Sequence, residues 1–310
     1  MCSKCEKIPL IVIFGPTASG KSDLAVKVAK NVNGEIITAD SMQVYKGMDI
    51  GTAKPTIEEM QGIAHYMIDV AEPTENYSLA RYVKEAETVI QNVWENGKIP
   101  ILAGGTGLYI DTLINGTVLS ETKNDEQYRE NLYALAQQNG NDYVHNLLKE
   151  VDEKSAQNIH PNNLKRVIRA LEFFKTTGTK QSEHIEKGKT TESKYQIFKF
   201  GISTDRDVLY ERINKRVDKM FEKGLVTEVE ELLKKGVDQR YTSMQAIGYK
   251  EVLTYLNGSL SYIEMTELLK KATRNYAKRQ ITWFKREQNT TWVDIADKKI
   301  IEIFKKTMEL

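Results

Sequence analysis

Residues 15–22, Gly15-Pro16-Thr17-Ala18-Ser19-Gly20-Lys21-Ser22, follow directly on the apolar run of residues 10–14. They fit G-x-x-x-x-G-K-[ST], the phosphate-binding loop. The flanks have the right character. The β-branched run reads as a buried strand, and residues 23–32 (DLAVKVAKNV) read as the helix that must follow. In that setting the glycines let the backbone turn tightly, so that its N–H groups meet an anion at a helix N-terminus. Lys21 adds a positive charge, and the Ser22 hydroxyl is a candidate Mg²⁺ ligand. The loop says polyphosphate. It does not say whether that phosphate belongs to ATP, the commoner nucleotide occupant, or to something else.

The same alternation recurs downstream. Short apolar runs at 10–15, 35–39, 66–70, 99–103, 196–202 and 291–295 read as buried parallel strands, with helical patterns such as 78–95 between the early ones. The expected fold class is α/β: a doubly wound, mostly parallel sheet of the P-loop kind. From about residue 116 to 193 the strand signal vanishes and the chain is polar and helical. The expected organisation is therefore a first part of the core at 1–115, a helical insertion at 116–195, and core completion with basic C-terminal helices at 196–310. Residues 187–194 read as the flexible return linker.

Among 310 residues, 40% are hydrophobic and 28% charged, which is ordinary for a globular protein. The balance of 44 basic and 43 acidic side chains leaves a net charge of +1. Any nucleic-acid role must then come from local clusters. No apolar run approaches the roughly 20 residues that span a bilayer, and the expected location is the cytoplasm. Cys2 and Cys5 form half of a zinc site with no second pair to complete it, and read as reduced thiols.

Ligands on such sheets sit at the carboxyl ends of strands. Three polar clusters fall there: the phosphate loop, Asp40-Ser41, and Gly104-Gly105-Thr106-Gly107. Asp40 can serve as general base for a substrate N–H, as a magnesium ligand, or as the hinge of an Asx turn. Thr106 can donate to a leaving-group oxygen, or simply belong to a glycine-rich turn. The second half carries three basic clusters. Lys165, Arg166 and Arg169 share one helix, and Arg212, Arg216 and Lys219 follow an i, i+4, i+7 pattern. Between Lys270 and Arg286 there is no acid, and Tyr276, Trp283 and Phe284 are interleaved. Each cluster alone is a solvated face; together, beside a phosphate loop, they favour nucleic acid.

These pieces resemble the tRNA dimethylallyltransferase (tRNA isopentenyltransferase) family, in its bacterial form, over almost the whole chain. The resemblance rests on GPTASGKS at 15–22, DSMQVYKGMDIGTAKP at 40–55 and GGTGLYI at 104–110. It continues through HPNNLKRVIRALE at 160–172, RINKRVDKM at 212–220, QAIGYKEVL at 245–253 and TRNYAKRQITWF at 273–284. It implies transfer of a dimethylallyl group from dimethylallyl diphosphate to N6 of adenine 37 in the tRNA anticodon stem-loop, with Mg²⁺ as cofactor. The phosphate loop, Gly15 to Ser22, would hold the prenyl diphosphate, with Arg212 or Arg216 closing over it. Asp40 and Thr106 would be catalytic. Asp40, Ser41, Met42, Gln43, Thr106 and Arg129, with Lys165, Arg166, Val167, Ile168 and Arg169 on the insertion, match positions that meet the tRNA. A monomer is expected. Where the family often has paired histidines this chain has Ala64-His65, so His65 receives no catalytic role. Asn162-Asn163 replaces the usual Asn-Asp. The rival readings are a small-molecule or nucleoside kinase and a non-catalytic RNA-binding module.

Overall fold

The computed structural model describes residues 7–116, 125–188, 193–297 and 299–308. Cys2 and Cys5 lie outside them, as do residues 189–192 of the expected return linker. The chain divides into two compact units: Met1–Ile114 with Lys194–Leu310, and Asn115–Ser193.

The first unit is built on a six-stranded sheet in the order β3-β2-β4-β1-β5-β6, parallel throughout. Its strands are β1 (Ile8–Phe14), β2 (Gly34–Ala39), β3 (His65–Tyr66), β4 (Ile99–Gly104), β5 (Tyr195–Ser203) and β6 (Thr290–Asp294). The helices of this unit are α1 (Lys21–Val32), α2 (Ile57–Met60), α3 (Leu79–Glu95) and α4 (Gly107–Ile114). After the insertion come α10 (Arg206–Glu222), α11 (Leu225–Lys234), α12 (Tyr249–Leu256), α13 (Tyr262–Phe284) and α14 (Ile300–Thr307). β1 is central, and its residues 10–14 are at most 1% exposed. A strand covered on both faces needs a continuous apolar run, which is what the sequence supplies there. α3 starts where Ser78 accepts the Arg81 N–H, and its apolar stripe of Tyr82, Val83, Ala86, Ile90 and Val93 is buried.

One expected strand is cut short. The pattern predicts a strand at 66–70, but only His65 and Tyr66 pair with β2. Met67 and Asp69 adopt φ of 63° and 55°, left-handed values that turn the chain off the sheet edge. Lys54 then ties Asp69 to Asp49, with both Nζ–Oδ1 distances at 2.5 Å.

The second unit holds α5 (Glu126–Asn139), α6 (Asn141–Val151), α7 (Glu153–Asn158), α8 (Leu164–Thr177) and α9 (Gln181–Gly188). Its own core includes Leu132, Val144, Leu148, Val167, Ile168 and Leu171. Among the described residues no helix is long and apolar enough to cross a membrane.

Candidate active site

In a parallel sheet all strands end on the same side, so the loops after β1, β2 and β4 converge. Above them in the first unit lies a cavity of about 400 Å³, within the range of small-ligand sites. Its walls include Thr17, Lys21 and Ser22 from the phosphate loop and α1, Asp40 to Gln43 after β2, and Gly104 and Gly105 after β4. Thr52 and Ala53 add the following loop, Arg216 comes from α10, and Tyr276, Arg279 and Gln280 come from α13.

The phosphate loop is held from within and from outside. Lys21 Nζ donates to the Pro16 carbonyl at 2.6 Å, and Thr17 N–H donates to Gln280 Oε1 at 2.8 Å. α1 begins without a side-chain cap, Gly20 standing at its N-cap with φ of 87°. The first N–H groups of a helix have no intrahelical acceptor, so this start is open to an anion. Burial, with the Arg216 charge beside it, lowers the Lys21 ammonium to about 7, against a smaller opposing pull from Asp40. Burial also lowers the Arg216 guanidinium. Two cations beside one another in a partly dry cavity are a poor arrangement until a polyanion arrives.

Asp40 divides its work between its two oxygens. Oδ1 accepts Met42 N–H at 2.9 Å and Gln43 N–H at 3.3 Å, the Asx turn foreseen as one alternative. Oδ2 has no protein partner among the described residues, and Asp40 lines the cavity. The turn fixes the carboxylate and leaves one oxygen for chemistry. Thr106 is not part of the cavity lining; its Oγ1 accepts the Ser41 N–H at 3.2 Å, which ties the β4 loop to the β2 loop.

Ser22 and Asp40 line the same cavity. A hydroxyl, one carboxylate, diphosphate oxygens and water are the donor set Mg²⁺ takes, since it rarely uses an all-protein cage. The residues present fit the ion. Among the described residues no cluster of three His, Cys, Asp or Glu side chains is arranged for a metal.

Of the two α10 arginines proposed from sequence, Arg216 lines the cavity and donates to the Thr52 carbonyl at 3.4 Å, while Arg212 is exposed and does not line it. In the second unit Lys165 and Arg166 are exposed on α8. Val167 and Ile168 are 0% and 2% exposed in that unit's core. This corrects their place among tRNA-facing residues: helical periodicity turns them inward, leaving no side-chain surface for RNA. Arg129 and Arg169 both pair with the buried Glu172, each at 2.8 Å.

Of the aromatics interleaved with the last basic stripe, Tyr276 lines the cavity, while Trp283 and Phe284 are packing groups. Phe284 is 2% exposed and stacks on Phe14 with ring centroids 4.7 Å apart. Trp283 Nε1 donates to Asp111 at 2.7 Å, and its ring lies so close to Gly107 that a Cβ there would sit 2.4 Å from Cδ1. The second glycine of Gly-Thr-Gly is therefore demanded by packing on α13. Of the basic side chains, Lys270 pairs with Asp218 at 2.8 Å and Arg274 donates to Asn214 at 2.6 Å, whereas Lys271, Lys278, Arg279, Lys285 and Arg286 are exposed.

Gln280 is the residue whose role the sequence did not reveal. It is 6% exposed, accepts from Thr17 N–H and donates to the Gly105 carbonyl at 2.8 Å, so one amide bridges two strand-end loops. The signal was present: an uncharged polar residue in register with the buried stripe Met265, Leu269, Ala277 and Phe284.

Comparison with known proteins gives a consistent result. A family model described as IPP transferase matches residues 43–287. A tRNA dimethylallyltransferase from Acetivibrio thermocellus is 50% identical over 300 residues, 96% of this chain and 96% of that one. The crystal structure of the full-length tRNA isopentenylpyrophosphate transferase from Bacillus halodurans superposes with a TM-score of 0.73 at 43% identity, covering 98% of this chain and 97% of that one. A eukaryotic dimethylallyltransferase described as acting on tRNA gives a TM-score of 0.79 at 32% identity, covering 97% of this chain and 77% of that one.

Proposed function

This chain belongs to the IPP transferase family and is an enzyme that transfers a prenyl group to tRNA, and we propose that it moves the dimethylallyl group of dimethylallyl diphosphate to N6 of adenine 37 in the anticodon loop. The observation that carries this reading is the shared cavity. An uncapped helix start with two cations, Lys21 and Arg216, faces the same space as a carboxylate with one oxygen uncommitted. One half suits a diphosphate and the other a weakly nucleophilic amine.

The adenine amino group is a poor nucleophile because its lone pair is delocalised into the ring. Asp40 Oδ2 accepts a proton from N6 as the N6–C1 bond forms. The C1–O bond breaks, and diphosphate leaves with the electron pair. The α1 N-terminus, Lys21 and Arg216 stabilise the charge that gathers on the leaving group. Thr106 stands outside the cavity lining and acts through Ser41, whose N–H its Oγ1 accepts, so that the loop carrying Asp40 is held in place. Ser22 is the side chain that would hold Mg²⁺, which supplies further neutralisation of the diphosphate when bound. The acceptor base must be unstacked, which is easiest in a single-stranded loop. Ser41, Met42 and Gln43 meet that base and its neighbours. Exposed Lys165 and Arg166, with Arg129 and Arg169 braced by Glu172, meet the tRNA backbone. The enzyme works in the cytoplasm as a monomer.

The deciding experiment is incubation with unmodified tRNA, Mg²⁺ and dimethylallyl diphosphate, without ATP, followed by nucleoside mass spectrometry. The expected product is adenosine heavier by one dimethylallyl group. ATP-dependent phosphorylation of a metabolite in its place would make the chain a kinase. Asp40→Ala should cut turnover by about two to four orders of magnitude, the usual worth of a general base, with tRNA affinity within a few-fold. An active Asp40→Ala enzyme removes Asp40 from the chemistry.

A further inference from the structure

Three consecutive backbone N–H groups, those of Asp49, Ile50 and Gly51, converge on one carboxylate from far along the chain. Glu228 Oε2 accepts from Asp49 at 2.9 Å and from Ile50 at 2.7 Å; Oε1 accepts from Gly51 at 3.1 Å. Successive N–H groups of this kind form an anion-binding nest, and here its anion is a side chain on α11. The Tyr249 hydroxyl donates to Oε1 at 2.6 Å. The Tyr249 ring is fully buried, and a Cβ at Gly51 would lie 2.5 Å from its Cε2, so the loop fits onto α12 only with glycine there.

The other side of the same loop faces the cavity. Thr52 and Ala53 offer their carbonyls to Gln43 Nε2, at 3.2 and 3.3 Å, and Thr52 also accepts from Arg216. Two carbonyl acceptors settle which end of the Gln43 amide is nitrogen. They leave Oε1 as the acceptor that Gln43 brings to the cavity lining. Glu228 does not line the cavity, so any effect it has on the reaction passes through this loop.

We propose that Glu228 is a positioning residue for the acceptor side of the reaction, gripping the backbone at residues 49–51 so that Gln43 presents its carbonyl oxygen to the RNA base. The inference rests on the cavity being the site of prenyl transfer. In Glu228→Gln the neutral amide has one oxygen to offer where the carboxylate has two, and its NH₂ would face an N–H group that has lost its acceptor. The loop would then shift at its carbonyls, and the Gln43 amide with it.

The test is a double-mutant cycle on kcat/KM for tRNA at saturating dimethylallyl diphosphate, using Glu228→Gln, Gln43→Ala and the pair. Glu228→Gln should lower kcat/KM by about tenfold, the loss of roughly one charge-assisted hydrogen bond. The double variant should be no worse than the less active single one by more than about twofold, because both changes remove the same presentation. Diphosphate affinity, read by calorimetry, should stay within about threefold. Effects that multiply independently, or a Glu228→Gln enzyme with wild-type kcat/KM, would overturn the proposal, since a merely structural anchor has no reason to couple to Gln43. Should Glu228→Gln fail to fold, Tyr249→Phe removes only the fourth donor and takes its place in the cycle, with a smaller fall and the same coupling expected. A wild-type enzyme that makes no prenylated adenosine defeats the functional reading itself; an active wild type with independent effects defeats only the role of Glu228.

Discussion

Lys21 should take up a proton when diphosphate binds. In the free protein its ammonium titrates at about 7, held down by burial and by the Arg216 charge. A diphosphate beside it favours the charged form and lifts the value in the complex. The folded, free state is thus the one with the lower pKa. Affinity is complete below about 7 and falls as pH rises, until the pKa of the complex is reached. For a single group the dissociation constant scales as one plus ten to the power of pH minus pKa. Between pH 7 and 9 this gives a weakening of roughly fiftyfold. The ligand itself contributes little in that window, because phosphate second ionisations lie near 6. At pH 8 about nine in ten lysines are neutral in the free enzyme, so binding should draw in ~0.9 proton. Titration calorimetry at pH 8 in buffers of different ionisation enthalpy reads that number directly. Lys21→Arg keeps a charge at every pH and should flatten the profile. A flat profile for the wild type, with no proton uptake, would refute the reasoning, since it means the amine is charged before ligand arrives or never meets it.

Three further outcomes follow from the packing and charge. Gln280→Leu leaves the Thr17 N–H and the Gly105 carbonyl without partners and should cost about 1–3 kcal/mol in stability by denaturant titration, with a fall in diphosphate affinity read by calorimetry. Asp111, raised to about 6 by burial and by the Glu287 charge, binds its proton more tightly folded than unfolded, so its contribution to stability is greatest at low pH and declines as pH rises through about 4 to 6. Asp111→Asn keeps an oxygen for Trp283 and should raise the melting temperature above pH 7; a lower one would show the charge to be wanted. Replacing Lys165, Arg166 and Arg169 by glutamine should reduce the slope of log affinity for tRNA against log salt by about 2–3, and an unmoved slope would make α8 a solvated face.

Much of the first unit is legible in the sequence because its signals are local. A buried strand needs an unbroken apolar run, and a phosphate loop needs glycines and a lysine at fixed spacing; both are visible within a dozen residues. The end of β3 is not, because Met67 does not announce left-handed backbone and Asp69 merely tolerates it; Lys54 stabilises the turn from outside. The α8 motif matches its family as one block, although 3.6-residue periodicity already separates Lys165 and Arg166 from Val167 and Ile168. The aromatic residues of α13 are ambiguous for the opposite reason: stacking on a base and stacking on Phe14 ask for the same side chain. Gln280 and Glu228 stay hidden because their partners, Thr17 and Asp49, are 263 and 179 positions away. No window of sequence shows a contact at that range.

Such distances also matter while the protein is being made. β1 carries the phosphate loop, yet one of its two flanking strands, β5, begins at Tyr195. At ribosomal speeds of about 5–20 residues per second, the β1 edge waits ~10–40 s for its partner after it emerges. An open edge of Leu, Ile, Val and Phe is an aggregation template for that interval, which makes β1 a natural client for nascent-chain chaperones. The brace from Gln280 comes later still. A chain released early, with its motif intact and its sheet nearly complete, would hold the phosphate loop unbraced, so the last helices act as a certificate that synthesis went far enough before any prenyl donor is engaged.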